Sequence, residues 1–190
     1  MAVAMNELNN PDLGPTTLPV NDLIRRIERV DWFTNMGQTP QQAEAQIKQV
    51  YQHLNLSEPG VYWLSQETIE EEMPCSLTNS ELWAKLQPVP AALQTEAERL
   101  NRQTQLDYLV YQLPELIFHK VYHAAFTTFE RVATIQFITG HAIYLCTMAC
   151  IWELLSDQKE WSYNPYKALF EIYEAGHVPL GMDELGFYLL

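Results

Sequence analysis

A chain of 190 residues with 47% hydrophobic and 18% charged side chains has the length and composition of one folded domain. Its 24 acidic residues outnumber 11 basic ones, and the resulting net charge of -13 argues against a dedicated nucleic-acid-binding protein, which needs Lys and Arg for the phosphates. Seven glycines without a regular period exclude a collagen-like chain.

The first 18 residues predict a disordered lead-in, because asparagines, glycine and prolines interrupt them repeatedly. They contain no basic start and no apolar run of signal-peptide length. The three cysteines form no CxxC pair, so reduced thiols are expected rather than a disulfide framework. These features favour a cytoplasmic protein with one helical domain at 19–190, and a subdivision near 88–90 is the alternative.

Two helices are predicted in the first part of the chain, at 21–33 and 40–54, because each carries apolar residues at helical spacing. The segment 61–64 is either a short strand or the lead into a third helix that Ser65 would cap. A short helix follows at about 80–86, before two closely spaced prolines.

Four helices are predicted in the second half of the chain, at 91–113, 115–129, 132–155 and 165–175. Pro114 separates the first two, because the residue before a proline is biased away from helical geometry. Gly176 is placed to end the last helix, and two short strands are predicted around a turn at 181–184. The sequence therefore predicts a mainly α fold, a bundle of about five to seven helices with a small C-terminal β-hairpin.

The segment 132–152 is the most apolar part of the chain, with 21 residues that include no Asp, Glu, Lys or Arg. Its length is enough to span a bilayer, so attachment to a membrane is one alternative. Gln136, Gly140 and His141 lie inside it, and no cluster of basic residues flanks it. A β-hairpin with strands at 132–138 and 142–152 is a second alternative. Periodicity favours a helix buried among other helices, without a membrane.

Glu115, His119 and His123 are spaced four residues apart, which places them on one face of a helix. Two histidines at this spacing can chelate a transition metal, and Cys146 and Cys150 repeat the spacing on another predicted helix. If the two helices pack against each other, two His and two Cys would surround one zinc ion. This predicts a metal-binding bundle, with hydrolase activity as an extension, as the alternative function. The favoured interpretation has no cofactor: the cysteines fill the core and the histidines lie at its edge.

Two further groups of residues point to binding of another protein. The acidic cluster comprises Glu67, Glu70, Glu71 and Glu72, and the aromatic cluster comprises Trp161, Tyr163 and Tyr166. An acidic surface speeds the encounter with a basic partner, and Tyr and Trp are favoured anchors in interfaces. The same residues would also serve solubility and core packing. The leading functional hypothesis is a non-enzymatic interaction protein (a regulator, inhibitor or assembly factor) whose partner is a protein, with a basic protein as one candidate.

The segments DWFTNMG, YEAGHVPLG and GFYLL are similar to segments of small bacterial proteins. This resemblance suggests a bacterial origin and implies no activity.

Overall fold

The computed structural model describes residues 19–71, 81–86, 90–155, 163–182 and 186–190, so the expected lead-in at 1–18 lies outside the described residues. The helices are α1 (Pro19–Glu28), α2 (Gln41–His53), α3 (Gln66–Glu71), α4 (Glu81–Leu86), α5 (Pro90–Arg99), α6 (Gln103–Tyr111), α7 (Leu113–Thr128), α8 (Val132–Leu155) and α9 (Pro165–Glu174). The strands are β1 (Val61–Trp63), β2 (Pro179–Met182) and β3 (Phe187–Leu189). Seven of these helices have nine residues or more, which confirms the predicted mainly α fold with a small sheet.

Helix α8 is the centre of the bundle. Helices α1, α5, α6, α7 and α9 all pack against it, and Ile138, Ala142 and Leu145 are fully buried. A helix that is apolar on all sides is stable in a soluble fold only when its neighbours cover it, and these five helices provide that cover. The alternative of a β-hairpin at 132–152 is therefore wrong.

Helices α7 and α8 form a helical hairpin, since only residues 129–131 connect them and the two pack along each other. Pro114 lies in the first turn of α7, where its missing N–H costs no helical hydrogen bond. Buried residues at spacings of four mark the face of α7 that packs inward: Leu113, Ile117, Val121 and Ala125. The opposite face of α7 is consequently left toward solvent.

Two of the predicted helices differ from those observed. The helix expected at 91–113 is broken into α5 and α6 near Asn101, whose φ of 55° is a left-handed conformation that asparagine tolerates better than most residues. The helix expected to continue to Phe33 ends at Glu28, and Phe33 itself has a φ of 64°. Neither break contains a proline or glycine, so the sequence carries no residue that would have predicted the end of a helix there.

The three strands form one sheet in the order β1-β3-β2. Strand β3 pairs antiparallel with β2, as the predicted hairpin requires, and parallel with β1, where Val61 lies opposite Phe187. The prediction of two short strands near the C-terminus is confirmed, although Gly181 and Met182, expected in the turn, belong to β2. Of the segment 61–64, Val61–Trp63 forms a third strand. Together with the packing of α2 on α9, this sheet joins the first third of the chain to its last residues.

Candidate functional site

The predicted zinc ligands do not come together in the structure. Glu115, His119 and His123 lie on the exposed side of α7, whereas Cys146 and Cys150 are fully buried in α8. The separation arises because α7 turns its aliphatic face, and not its histidines, toward α8. The residues that the structure describes include no group of three or more His, Cys, Asp or Glu side chains that could hold a metal ion.

Cys146 and Cys150 are free thiols in the core of the bundle. Burial raises the pKa of both thiols, because the thiolate would lose its hydration there. Since the thiolate is the form that binds metals and attacks electrophiles, both side chains act as small apolar core residues.

The acidic cluster has one member with a defined structural role. The carboxylate of Glu70 accepts hydrogen bonds from the backbone N–H groups of Glu130 and Arg131, at 2.7 and 2.9 Å. The guanidinium of Arg131 donates back to the carbonyl oxygens of Glu70 and Glu71. Glu70 therefore fixes the turn between α7 and α8 at the positive end of the α8 dipole. The side chains of Glu67 and Glu71 are exposed.

The predicted aromatic cluster is divided between surface and core. Glu72 of the acidic cluster and Trp161 lie outside the described residues. Tyr163 is half-buried and stacks on His53, with 3.7 Å between the ring centroids. Tyr166 is fully buried, which agrees with the core-packing alternative for this residue. Its ring fills the space between α8 and α9, where the aromatic side chains of both helices meet.

A different set of aromatic residues is exposed on α7. Phe118, Tyr122 and Phe126 follow one another at intervals of four residues and form what we call the aromatic face of α7. Their rings stack in sequence, with centroid distances of 5.4 Å between Phe118 and Tyr122 and 6.2 Å between Tyr122 and Phe126. Phe126 is 63% exposed, Phe118 41% and Tyr122 37%. The three rings are a continuous apolar ladder on the surface.

A groove continues this surface onto the start of α8. Its volume is about 420 Å³, and its lining includes Tyr122, Phe126, Phe129 and Val132. Val132 is 66% exposed, and Phe129 is buried at the base of the turn. The aromatic face and the groove therefore form one contiguous apolar patch at the α7–α8 corner, of the kind that marks interaction sites on soluble proteins.

The region that carries this patch is electrically neutral. Between residues 111 and 152 the only charged side chains are Glu115, Lys120, Glu130 and Arg131, two acidic and two basic. The net charge of -13 is therefore carried entirely by the rest of the chain. The neutrality belongs to this stretch of the sequence, because in space the acidic helix α3 lies beside it, with Glu70 bound to the turn between α7 and α8.

A polar cleft of about 480 Å³ lies between α1, α2 and α9. Its arginine, Arg26, donates to Glu174 at 2.9 Å and to Glu171 at 3.3 Å, and Gln46 donates to Glu171 at 3.4 Å. These carboxylates raise the pKa of Arg26. The charged groups that line this cleft pair with one another, so their role is to hold α1, α2 and α9 together.

His141 and Tyr173 form a buried pair, with 2.9 Å between the imidazole Nδ1 and the phenol oxygen. Phe137 stacks on the imidazole, and Trp83 contacts it edge to face. Burial lowers the pKa of His141 to about 4, so the ring is neutral at pH 7. Only 8% of His141 is exposed, and a substrate has no access to it in this conformation.

One helix within the described ranges, α8, meets the length and composition criteria for a membrane span, and 67% of its most apolar window is buried in the fold. A core helix covered by its neighbours meets the same two criteria.

Comparison of the chain with models of protein families, with curated protein sequences and with solved structures finds no match.

Proposed function

We propose that this protein is a non-enzymatic cytoplasmic interaction protein that binds a protein partner through the aromatic face of α7. The observation that carries the proposal is the exposed ladder of Phe118, Tyr122 and Phe126. A stack of rings that remains in water loses the free energy that burial would supply, so its exposure favours a partner that covers it.

The neutrality of the α7–α8 region indicates what kind of partner surface fits. The aromatic face itself offers no charged side chain to a basic surface, whereas an apolar surface would gain from burial of the rings. The proposal therefore moves the expected binding site from the acidic cluster of α3 to α7. Electrostatic attraction by the acidic remainder of the chain would then affect the rate of encounter more than the strength of binding.

The test compares three purified proteins as bait: the wild type, Phe126→Ser and Tyr62→Ser. Tyr62 is the matched control, because it is an exposed aromatic residue, at 48%, on β1 rather than on α7. Phe126 is mostly exposed, so its replacement leaves the core intact, and circular dichroism would verify the fold.

We expect that the wild type and Tyr62→Ser retain the same partner. The affinity of Phe126→Ser for that partner should be about 10- to 100-fold lower. Equal retention by all three baits would contradict the proposal, because it would place the binding site elsewhere.

A further inference from the structure

We infer that the partner covering the aromatic face is a second copy of this chain, with the two α7 helices packed antiparallel about a two-fold axis at Tyr122. This inference rests on the proposed function and names its partner. It follows from the symmetry of the ladder, the charge of the region and the area that the patch offers.

The ladder is symmetric along the helix. Phe118 and Phe126 lie four residues on either side of Tyr122, so an antiparallel copy centred on Tyr122 brings Phe118 opposite Phe126 of the second copy, twice. A two-fold interface requires such self-complementarity, because the same patch must serve both subunits. The ring spacings of 5.4 and 6.2 Å match the rise of a helix over four residues, about 6 Å, so two ladders can meet ring to ring along their length.

The charges on α7 itself do not oppose self-association at this face. Two copies of a chain with a net charge of -13 repel each other. The stretch 111–152, which carries the aromatic face, adds no net charge of its own to that repulsion. The acidic side chains of α3 lie beside the α7–α8 turn, where Glu70 binds Glu130 and Arg131, and salt screens their charge over about 8 Å at physiological ionic strength.

The patch is also large enough. The exposed fractions of the three rings and of Val132 correspond to on the order of 400 Å² of apolar surface per copy, for side chains of roughly 150–250 Å². Because interfaces are only about 60% apolar, a dimer built on this patch would bury on the order of 1,300 Å² in total. That area lies at the lower end of specific interfaces, so a dimer that dissociates on dilution is expected.

The test is sedimentation equilibrium of the full chain over concentrations from about 1 to about 100 μM, which detects a dimer with a dissociation constant in the micromolar range. The wild type should shift from monomer to dimer within this range. Two double variants then test the register. Phe118→Lys/Phe126→Glu places opposite charges against each other across the two-fold axis, and Phe118→Lys/Phe126→Lys places like charges there.

Both variants remove four rings from the dimer, so we expect both to dimerise more weakly than the wild type. We expect the Lys/Lys variant to bind about 10-fold or more weakly than the Lys/Glu variant, and this difference to shrink as salt is added. Equal effects of the two variants would overturn the antiparallel register, since only that register pairs position 118 with position 126.

Failure of this inference is distinguishable from failure of the proposed function. In one outcome the wild type stays monomeric, and the Phe126→Ser bait no longer retains a different protein. This would overturn the inference that the partner is a second copy, but the aromatic face would remain a binding site. A monomeric wild type together with unchanged retention by Phe126→Ser contradicts both.

Discussion

Replacing Glu70 with alanine tests whether the acidic cluster of α3 stabilises the fold. In the wild type the Glu70 carboxylate accepts the backbone N–H groups of Glu130 and Arg131, which lie just before the first residue of α8. The Glu70→Ala variant leaves both donors to water and removes a negative charge from the positive end of a 24-residue helix.

The expected cost is about 2 kcal/mol of unfolding free energy. Loss of a side-chain acceptor at a helix start costs about 0.5–2 kcal/mol, and hydrogen bonds to a charged acceptor lie at the upper end of the usual range. The partial exposure of Glu70 keeps the cost below that of a buried pair. For a chain of this length, 2 kcal/mol corresponds to a fall in Tm of about 4–8 °C.

Urea titration and thermal unfolding of three variants measure the effect. Glu71→Ala is the matched control, because it removes the same charge from an exposed neighbouring side chain and is expected to change stability by less than about 0.5 kcal/mol. Glu70→Gln keeps one acceptor oxygen and should fall between the two. If Glu70→Ala is no more destabilising than Glu71→Ala, the structural role assigned to Glu70 is refuted.

Three further predictions concern the core and the backbone. Because burial lowers the pKa of His141 to about 4 from 6.5, the unfolded chain takes up a proton first as the pH falls, and the free energy of unfolding should drop by about 3 kcal/mol between pH 6.5 and pH 4. Urea titrations across this range should show a shallower decline for His141→Gln, and an identical decline would count against the assignment. Gly176→Ala should destabilise by about 2 kcal/mol or more, because φ is +88° and a methyl group would overlap the loop before α2, whereas Gly140→Ala in α8 meets open space and should stabilise by about 1 kcal/mol. Melting temperatures that move in the same direction would refute that contrast. Peptide mapping after native alkylation should find Cys146 and Cys150 unmodified, and labelling at the rate of an unfolded chain would show that the core opens.

The central helix could be predicted because its signal is local. An uncharged run of the length of α8 can form only a few stable structures, and its periodicity favoured a buried helix over a hairpin. The long-range hydrogen bonds of Glu70 could not be predicted from the sequence, because about 60 residues separate the acceptor from its donors. The break at Asn101 was also missed, since neither proline nor glycine marks it and the apolar spacing continues through it.

The aromatic face was missed for a related reason. Helix α7 has apolar side chains around most of its circumference, and a stripe of Phe118, Tyr122 and Phe126 has the same spacing as a core stripe. Only the position of α8 shows that the aliphatic side is the buried one. The two histidines of α7 are next to the rings by their spacing, and the favoured interpretation placed them at the edge of the core, but it did not identify the ladder of rings beside them.

The position of β3 between β1 and β2 has a consequence for how the chain is made on the ribosome. Strand β1 leaves the exit tunnel long before its hydrogen-bonding partner exists, since Val61 pairs with Phe187. At ordinary synthesis rates of about 5–20 residues per second, β1 waits roughly 6–25 s for β3. Strand β2 is made only a few residues before β3, so β1 is the one strand of the described sheet that spends this interval without its partner, and the sheet is completed when β3 takes its place between β1 and β2.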